Sequence, residues 1–194
     1  MQDDDVKIQE NYTYISDDKK SKRLSALNIF LTVVIVLLII ALIVFTTTIT
    51  SIGVRGESMM PNIQDGDRLI LLKRGYELDY GDIVVFHREE DAESAVKRII
   101  GKGGDVIAFD QTALKWVRNG EYVDESEYFG GEYSESYFSS MKIELLGDGL
   151  TIPDGHLFVL GDNRNMPGSY VSKDSHMYGA LPQSSVLGKV LKII

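Results

Sequence analysis

The sequence predicts a mainly β protein, in which an antiparallel β-sheet domain follows a single N-terminal transmembrane α-helix. Two observations carry this prediction. Residues Leu27 to Phe45 form an uncharged apolar run of 19 residues. After residue 50 the chain contains short runs rich in β-branched residues, bounded by Gly, Asp and Pro, and no long helical period.

The apolar run has the length of a membrane span. As a helix it covers roughly 28 Å, and the hydrocarbon core of a bilayer is about 30 Å thick. A cleaved secretory signal has a shorter apolar region of about 7–15 residues with a small-residue cleavage site after it, and no convincing A-x-A site follows here. We therefore expect a transmembrane helix over residues 26–50, with the threonines of 46–50 extending it into the interface.

The flanking charges predict the direction of this helix. Four cations come just before it: Lys19, Lys20, Lys22 and Arg23. Positive residues stay on the cytoplasmic side, and Arg55 is the first cation after the span. The prediction is a cytoplasmic tail over 1–25 and an extracytoplasmic domain over 51–194, held in the cell membrane with the lipid bilayer as partner.

The strands of the outer domain are predicted from short apolar runs. These are 68–73, 82–87, 95–100, 106–109, 157–160 and 186–193. Asn119-Gly120 between 115–118 and 121–123 indicates a hairpin, because this pair readily takes both positive φ angles of a type I′ turn. Residues 110–150 are expected to be a variable excursion. Within it, the acidic, Tyr-rich stretch 124–141 is interpreted as a solvated loop or small subdomain in preference to a peptide-binding surface.

The composition disfavours one class of partner and excludes several kinds of site. The net charge of −9 disfavours nucleic acid as a partner, because phosphate binding relies on Lys and Arg. The absence of cysteine excludes disulfides, thiolate metal sites and a cysteine nucleophile.

Three segments combine residues suited to hydrolytic chemistry. Ser58 lies between Gly56, which frees the backbone, and Pro61, which fixes it. Lys97 interrupts an apolar strand, and strand alternation turns either Lys97 or Arg98 into the protein. Apolar surroundings disfavour the charged form of a lysine, and a neutral amine can accept the proton of a serine hydroxyl. The third segment, 161–164 followed by 172–176, comes after an apolar strand, where loops commonly hold functional groups.

These segments resemble, in order and wording, the motifs of bacterial type I signal peptidases. The family's S-M-x-P, K-R-x-x-G and G-D-N-R-x-x-S-x-D-S-R patterns match 58–61, 97–101 and 161–164 with 172–175. Segments 80–84 and 188–190 also resemble the family's strands. The resemblance covers roughly residues 20 to 194 and implies a signal-peptidase-like antiparallel sheet.

The resemblance implies roles for these residues. Ser58 is the nucleophile and Lys97 is the general base, in a Ser-Lys variant of the catalytic-triad mechanism. Ser172 matches the serine that orients the lysine amine. The supporting charge network consists of Asp162, Arg98, Arg164 and Asp174, with Arg98 expected to pair with Asp162. No metal or cofactor is implied, and the partners are the signal peptides of exported preproteins.

The last motif departs from the family pattern. Five residues around 167–171 look inserted, which makes Ser169 a rival to Ser172. His176 stands where the family has Arg, and Gly56 stands where some relatives have a serine that helps the oxyanion hole. The oxyanion is then expected to rely on backbone donors, including the N–H of Ser58.

The substrate is expected to be an extended segment ending in small residues. Such a segment binds by strand addition, with alternate side chains in pockets. By position, four residues are pocket candidates, although ordinary core packing is an equal interpretation: Val54, Met59, Ile63 and Val96. Ser58 comes 13 residues after Phe45, so the anchor is expected to keep it near the membrane.

Two other classes of protein remain as alternatives. A non-catalytic signal-peptidase-like accessory in surface-protein or pilus assembly would keep the fold, but it would typically lack the Ser or the Lys. A self-cleaving repressor also uses a Ser-Lys dyad, but it would carry a DNA-binding domain where this chain has an apolar span.

Overall fold

The structure is a computed structural model that describes residues 2–87, 94–166 and 172–194, with side chains from Lys22 onward. It divides into two compact units, one up to Thr47 and one from Thr48 to Ile194. Ser169 and the segment that looks inserted, 167–171, lie outside the described residues.

The first unit is one helix, α1 (Gln2–Thr48). Its portion Lys22–Thr48 is long and apolar enough to cross a membrane, and its most apolar window of 18 residues has a mean hydropathy of 3.4. Threonine hydroxyls in this portion donate to carbonyls one turn earlier, as Thr32 does to Asn28 O at 2.8 Å. The boundary near residue 25 between tail and span stays a prediction.

The helix ends two residues earlier than expected. Ile49 and Thr50 belong to strand β1 (Ile49–Gly53) and pair with Leu72 and Leu71. Their β-branched side chains suit a strand, and pairing with β2 gives their backbone groups partners outside the helix.

The second unit contains two antiparallel sheets. The larger has the order β1-β2-β11-β3-β4-β9-β10 and the smaller β7-β6-β5-β8. The remaining strands are β2 (Arg68–Leu72), β3 (Ile83–His87), β4 (Ser94–Lys102), β5 (Val106–Asp110), β6 (Lys115–Arg118), β7 (Glu121–Tyr122), β8 (Leu150–Thr151), β9 (His156–Leu160), β10 (Leu181–Pro182) and β11 (Val186–Ile193). The second unit also contains two short α-helices, α2 (Glu135–Ser139) and α3 (Ser175–Tyr178).

The strand predictions are confirmed within one or two residues at most ends. The hairpin is also present: β6 pairs with β7, and Asn119 and Gly120 have φ values of 55° and 85°. β11 comes last in the chain but lies between β2 and β3. It therefore joins β1 and β2, which flank Ser58 in the chain, to β3 and to β4, the strand that carries Lys97.

The Tyr-rich stretch 124–141 is not a solvated loop. Tyr137 is 1% exposed and packs in the core formed around Trp116 and Phe158. Met141 is also buried, and the Tyr133 ring meets that of Phe109 at 5.4 Å. The acidic composition favoured a solvated loop over the small subdomain, but the aromatic rings of the segment bury enough apolar surface to fix it.

Candidate active site

Ser58 lies in a tight turn between β1 and β2. Gly56 begins the turn with a φ of 95°, a conformation that favours glycine. Its N–H donates to Asp65 Oδ1 at 2.8 Å, and the Met60 N–H donates to Glu57 O at 3.1 Å. The Met60–Pro61 peptide bond is cis. The turn leaves Ser58 partly exposed.

Lys97 lies on β4, directly opposite Val84 of β3. The lysine is only 3% exposed. Its Nζ is 2.6 Å from Ser58 Oγ and 3.0 Å from Val96 O. The sequence predicts that one of two neighbouring cations points inward, and the structure turns both Lys97 and Arg98 into the protein.

Arg98 forms the ion pair that the sequence predicts. Its Nε donates to Asp162 Oδ1 at 2.9 Å and its Nη2 to Asp162 Oδ2 at 2.6 Å. Asn62 Nδ2 also donates to Oδ2, at 2.9 Å. The Tyr128 ring covers the guanidinium at 4.2 Å. Two parallel hydrogen bonds to one carboxylate fix the geometry as well as the charge.

Arg164 has a partner that the sequence did not indicate. Both Nη atoms donate to the carboxylate of Glu125, one of them at 2.8 Å. Burial alone would lower the pKa of Arg164, but these hydrogen bonds and the charge of Glu125 help to raise it well above its usual value. Glu125 is one acid among several in an acidic stretch, so no pattern singled it out.

The Asp174 carboxylate accepts hydrogen bonds from several groups of the site. Its Oδ2 accepts from Ser172 Oγ at 2.7 Å and from the Gly161 N–H at 2.8 Å. Burial raises its pKa, but the charge and hydrogen bond of His176, together with the charge of Lys97, outweigh this and lower it. Asp174 also caps α3, because its Oδ1 accepts from the His176 N–H.

His176 occupies the position at which the family pattern has Arg. Its Nδ1 is paired with Asp174, and its Nε2 lies 2.9 Å from Ser140 Oγ. The ring stacks on Tyr137 with centroids 4.1 Å apart. The histidine is completely buried. His176 and Asp174 therefore form a buried acid–base pair at this position.

A cleft of about 710 Å³ opens at Ser58 and Lys97. Ser172 lines it as well, and so do three of the four predicted pocket residues, Val54, Met59 and Val96. Ile63 does not line the cleft. It is completely buried in the cluster that contains Val54 and Met59, so its role is packing.

Asn163 was not singled out from the sequence, although it is part of the third segment. Its N–H donates to Ser58 O at 3.0 Å, and its Nδ2 donates to Glu57 O at 3.0 Å. Its place next to Asp162 was the available signal. Its contacts with Ser58 and Glu57 depend on the tertiary fold and have no signature in the sequence.

Comparison with known proteins identifies the family. The family model described as signal peptidase, peptidase S26, matches residues 26–194. Signal peptidase IB of Staphylococcus aureus is 33% identical over 152 residues, covering 73% of this chain and 75% of that protein. A probable signal peptidase I-1 of Synechocystis sp. is 32% identical over 146 residues, covering 70% and 65%. A crystal structure of a signal peptidase I from Enterococcus faecalis matches with a TM-score of 0.45 and 28% identity, covering 60% of this chain and 98% of that one. The chain therefore belongs to the bacterial type I signal peptidases, the serine endopeptidases of peptidase family S26.

Proposed function

We propose that this signal peptidase removes N-terminal signal peptides from exported preproteins with Ser58 as nucleophile and Lys97 as general base. The observation that carries the assignment of the dyad is the 2.6 Å contact between Lys97 Nζ and Ser58 Oγ. Nucleophile and base must lie within hydrogen-bond reach for direct proton transfer, and this distance meets that condition.

Burial supports a neutral Lys97 in the reactive state. The residue is 3% exposed, so its ammonium form gives up most of its contact with water. Loss of hydration disfavours the charged form of an amine. The neutral amine still has N–H groups, one of which can donate to Val96 O, while its lone pair accepts the Ser58 proton.

The steps then follow from the positions of these atoms. Ser58 Oγ attacks the scissile carbonyl carbon as its proton moves to Lys97 Nζ. The tetrahedral intermediate collapses, and the ammonium returns the proton to the departing amine nitrogen. Water then attacks the acyl-enzyme, giving its proton to Lys97 as the new C–O bond forms. Loss of the Ser58 oxygen as leaving group, reprotonated by Lys97, regenerates the enzyme.

Backbone donors are proposed to stabilise the oxyanion. The Gly56 N–H is engaged by Asp65 and is therefore a poor candidate. The Ser58 N–H is the donor we assign, because it belongs to the nucleophile itself and moves with it. Ser172, held through its hydroxyl by Asp174, is assigned to orienting the lysine amine from the wall of the same cleft.

The cleft suits an extended peptide. The half of β4 from Ser94 to Lys97 pairs with β3 on one side, whereas β9 pairs with β4 only from Arg98 onward. Among the described residues, no strand pairs with the other edge of this half, so a substrate strand can add there. Val54 and Val96 line the cleft and are assigned to pockets that admit small apolar side chains.

The apolar helix is proposed to anchor the enzyme with its N-terminus in the cytoplasm. The cations at 19–23 support this direction, and a membrane anchor raises the effective concentration of membrane-bound substrate. The chain has no cysteine, so single-cysteine variants report topology directly. In intact cells a membrane-impermeant maleimide should label Ser184→Cys and leave Ser16→Cys unlabelled. The reverse labelling would contradict this orientation.

The dyad is tested by cleavage of a synthetic preprotein with the full-length enzyme in detergent. Ser58→Ala should abolish cleavage, whereas Ser184→Ala, the same change at an exposed site, should leave it unchanged. Lys97→Ala should also be inactive, and wild-type turnover should rise with pH as the amine loses its proton. Undiminished cleavage by Ser58→Ala would instead support the accessory function.

A further inference from the structure

The Tyr-rich stretch 124–141 contacts the loop formed by residues 161–165, which we call the GDNR loop. Arg164 of this loop is 1% exposed. Its guanidinium is held by the carboxylate of Glu125 and lies 4.4 Å from the centroid of the Phe129 ring. Tyr133 also accepts a hydrogen bond from Arg164 Nη1 through its hydroxyl, at 3.1 Å. The stretch thus encloses the one arginine that the GDNR loop contributes.

Three further contacts of the stretch reinforce this enclosure. The Ser134 N–H donates to Arg164 O at 3.1 Å, and Asn165 Nδ2 donates to Glu132 Oε2 at 2.7 Å. Tyr128 covers the guanidinium of Arg98, the partner of Asp162. The stretch therefore holds the GDNR loop directly at Arg164 and Asn165, and indirectly at Asp162 through Arg98.

The opposite side of the GDNR loop touches the nucleophile. Asn163 donates its N–H to Ser58 O and its side-chain amide to Glu57 O, each at 3.0 Å. At Gly161 the approach is so close that an added Cβ would come within 2.5 Å of Ser58 O. The backbone position of Ser58 is set by this loop.

The position of Ser58 matters because it lies in a turn without strand pairing. Its hydroxyl must stay near Lys97 Nζ, now 2.6 Å away. A displacement of about 1 Å in such a contact can cost about a hundredfold in rate. Contacts that fix the Ser58 backbone can thus act on catalysis without touching the substrate.

We propose that Glu125 is a positioning residue for the nucleophile. It neutralises the buried Arg164 and so holds the GDNR loop in place, and through Asn163 the loop keeps Ser58 within reach of Lys97. This inference rests on the proposed function of the dyad. Without the Glu125 charge, Arg164 becomes an uncompensated buried cation, and the GDNR loop moves to hydrate it.

The test is Glu125→Gln in the full-length enzyme, which removes the charge and keeps the size. Glu127→Gln is the matched control, because Glu127 is exposed two residues away. Glu125→Gln should lower kcat about 10–100-fold with KM changed less than about threefold, at equal folded fraction by circular dichroism. Glu127→Gln should match the wild type. An unchanged kcat per folded Glu125→Gln molecule, or an effect on KM alone, would overturn the proposal.

A double-mutant cycle with Asn163→Ala tests the route through the loop. If Glu125 acts through Asn163, Glu125→Gln should lower kcat by a smaller factor in the Asn163→Ala background than in the wild type. Factors that simply multiply would contradict this route. Ser58→Ala separates the two levels of inference. If it cleaves, the dyad assignment fails, whereas an inactive Ser58→Ala beside a fully active Glu125→Gln defeats only the positioning role.

Discussion

Lys97 and Arg98 are adjacent on β4, yet they carry their charges into two different environments. Lys97 faces the cleft and donates to a hydroxyl and a backbone carbonyl, Ser58 Oγ and Val96 O. Arg98 faces the GDNR loop and makes two hydrogen bonds to the Asp162 carboxylate. One side of the strand holds the proposed proton-transfer site, and the other holds a fixed ion pair.

The difference shows that neighbouring residues of one strand can differ in role, one as a proposed base and the next as a structural ion-pair partner. Hydroxyl and carbonyl partners can bond to an amine in either protonation state, as the proposed general-base role of Lys97 requires. A carboxylate with two parallel hydrogen bonds keeps a guanidinium charged and fixed, and arginine does not deprotonate in proteins. Exchanging the two kinds of cation should therefore damage the two sides in different ways.

The largest expected effect comes from Lys97→Arg. An arginine cannot accept the Ser58 proton, so kcat for preprotein cleavage should fall by about 10²–10⁴-fold. Arg98→Lys is the reciprocal change. It should lower kcat by a smaller factor than Lys97→Arg does, and it should lower the free energy of unfolding by about 1.5–3 kcal/mol, the value of a charged hydrogen bond. A folded Lys97→Arg enzyme with near wild-type turnover would contradict the division between the two sides.

The second effect concerns the ion pair itself. Asp162→Asn leaves Arg98 with an uncompensated charge in a largely buried site, where the side chain is 12% exposed. Breaking a buried pair in this way costs about 3–5 kcal/mol, measurable by chemical denaturation in detergent. Asp148→Asn removes an exposed carboxylate as the control. Equal stability of both variants would show that the pair contributes little.

A third, smaller effect depends on pH. The pKa of Asp174 is lowered in the folded protein, although its burial alone would raise it. A depressed folded pKa adds stability that is complete above the unfolded value of about 3.9 and is lost as pH falls through the lower folded value. The difference in unfolding free energy between wild type and Asp174→Asn should therefore shrink as pH falls below about 4. A difference that grows on acidification would reverse the assigned sign.

The smallest expected effect concerns the side of β4 that faces the cleft. Val96 lines the cleft, so Val96→Ala should enlarge a pocket without touching the dyad. Relative kcat/KM for a substrate with Val rather than Ala before the scissile bond should rise about tenfold. Val106→Ala on the smaller sheet is the control, since Val106 is exposed. An unchanged preference would place Val96 outside the pocket.

Local patterns predicted most of the fold. The strands from β2 to β5 appear as short β-branched runs, and Asn119-Gly120 marks a hairpin because few other pairs take its φ angles. The arrangement of the two sheets did not follow from these runs. The place of β11 between β2 and β3 depends on pairing between residues more than 100 positions apart.

The site was predictable where chemistry dictates residue type and was not predictable where a contact depends on packing. Ser58 and Lys97 were singled out because their segments match the family's motifs in order, and their side chains suit a nucleophile and a base. Glu125 was missed because any acidic residue of its stretch could have formed the ion pair with Arg164. Only the packing of the surrounding aromatic rings places Glu125, and not another acid, beside the guanidinium. Ile63 was placed in the cleft from its position near Ser58, yet its side chain points into the core.

By itself, the sequence determined an apolar helix and a mainly β domain, because length and alternation are local properties, and its motifs pointed to the two residues of the proposed dyad through their resemblance to the family pattern. Only the tertiary structure decided that Lys97 and Ser58 touch, that Arg164 pairs with Glu125, and that the Asn163 N–H donates to Ser58 O. These contacts join residues 39 to 105 positions apart. They exist because burial forces each polar group to find a partner wherever the chain brings one.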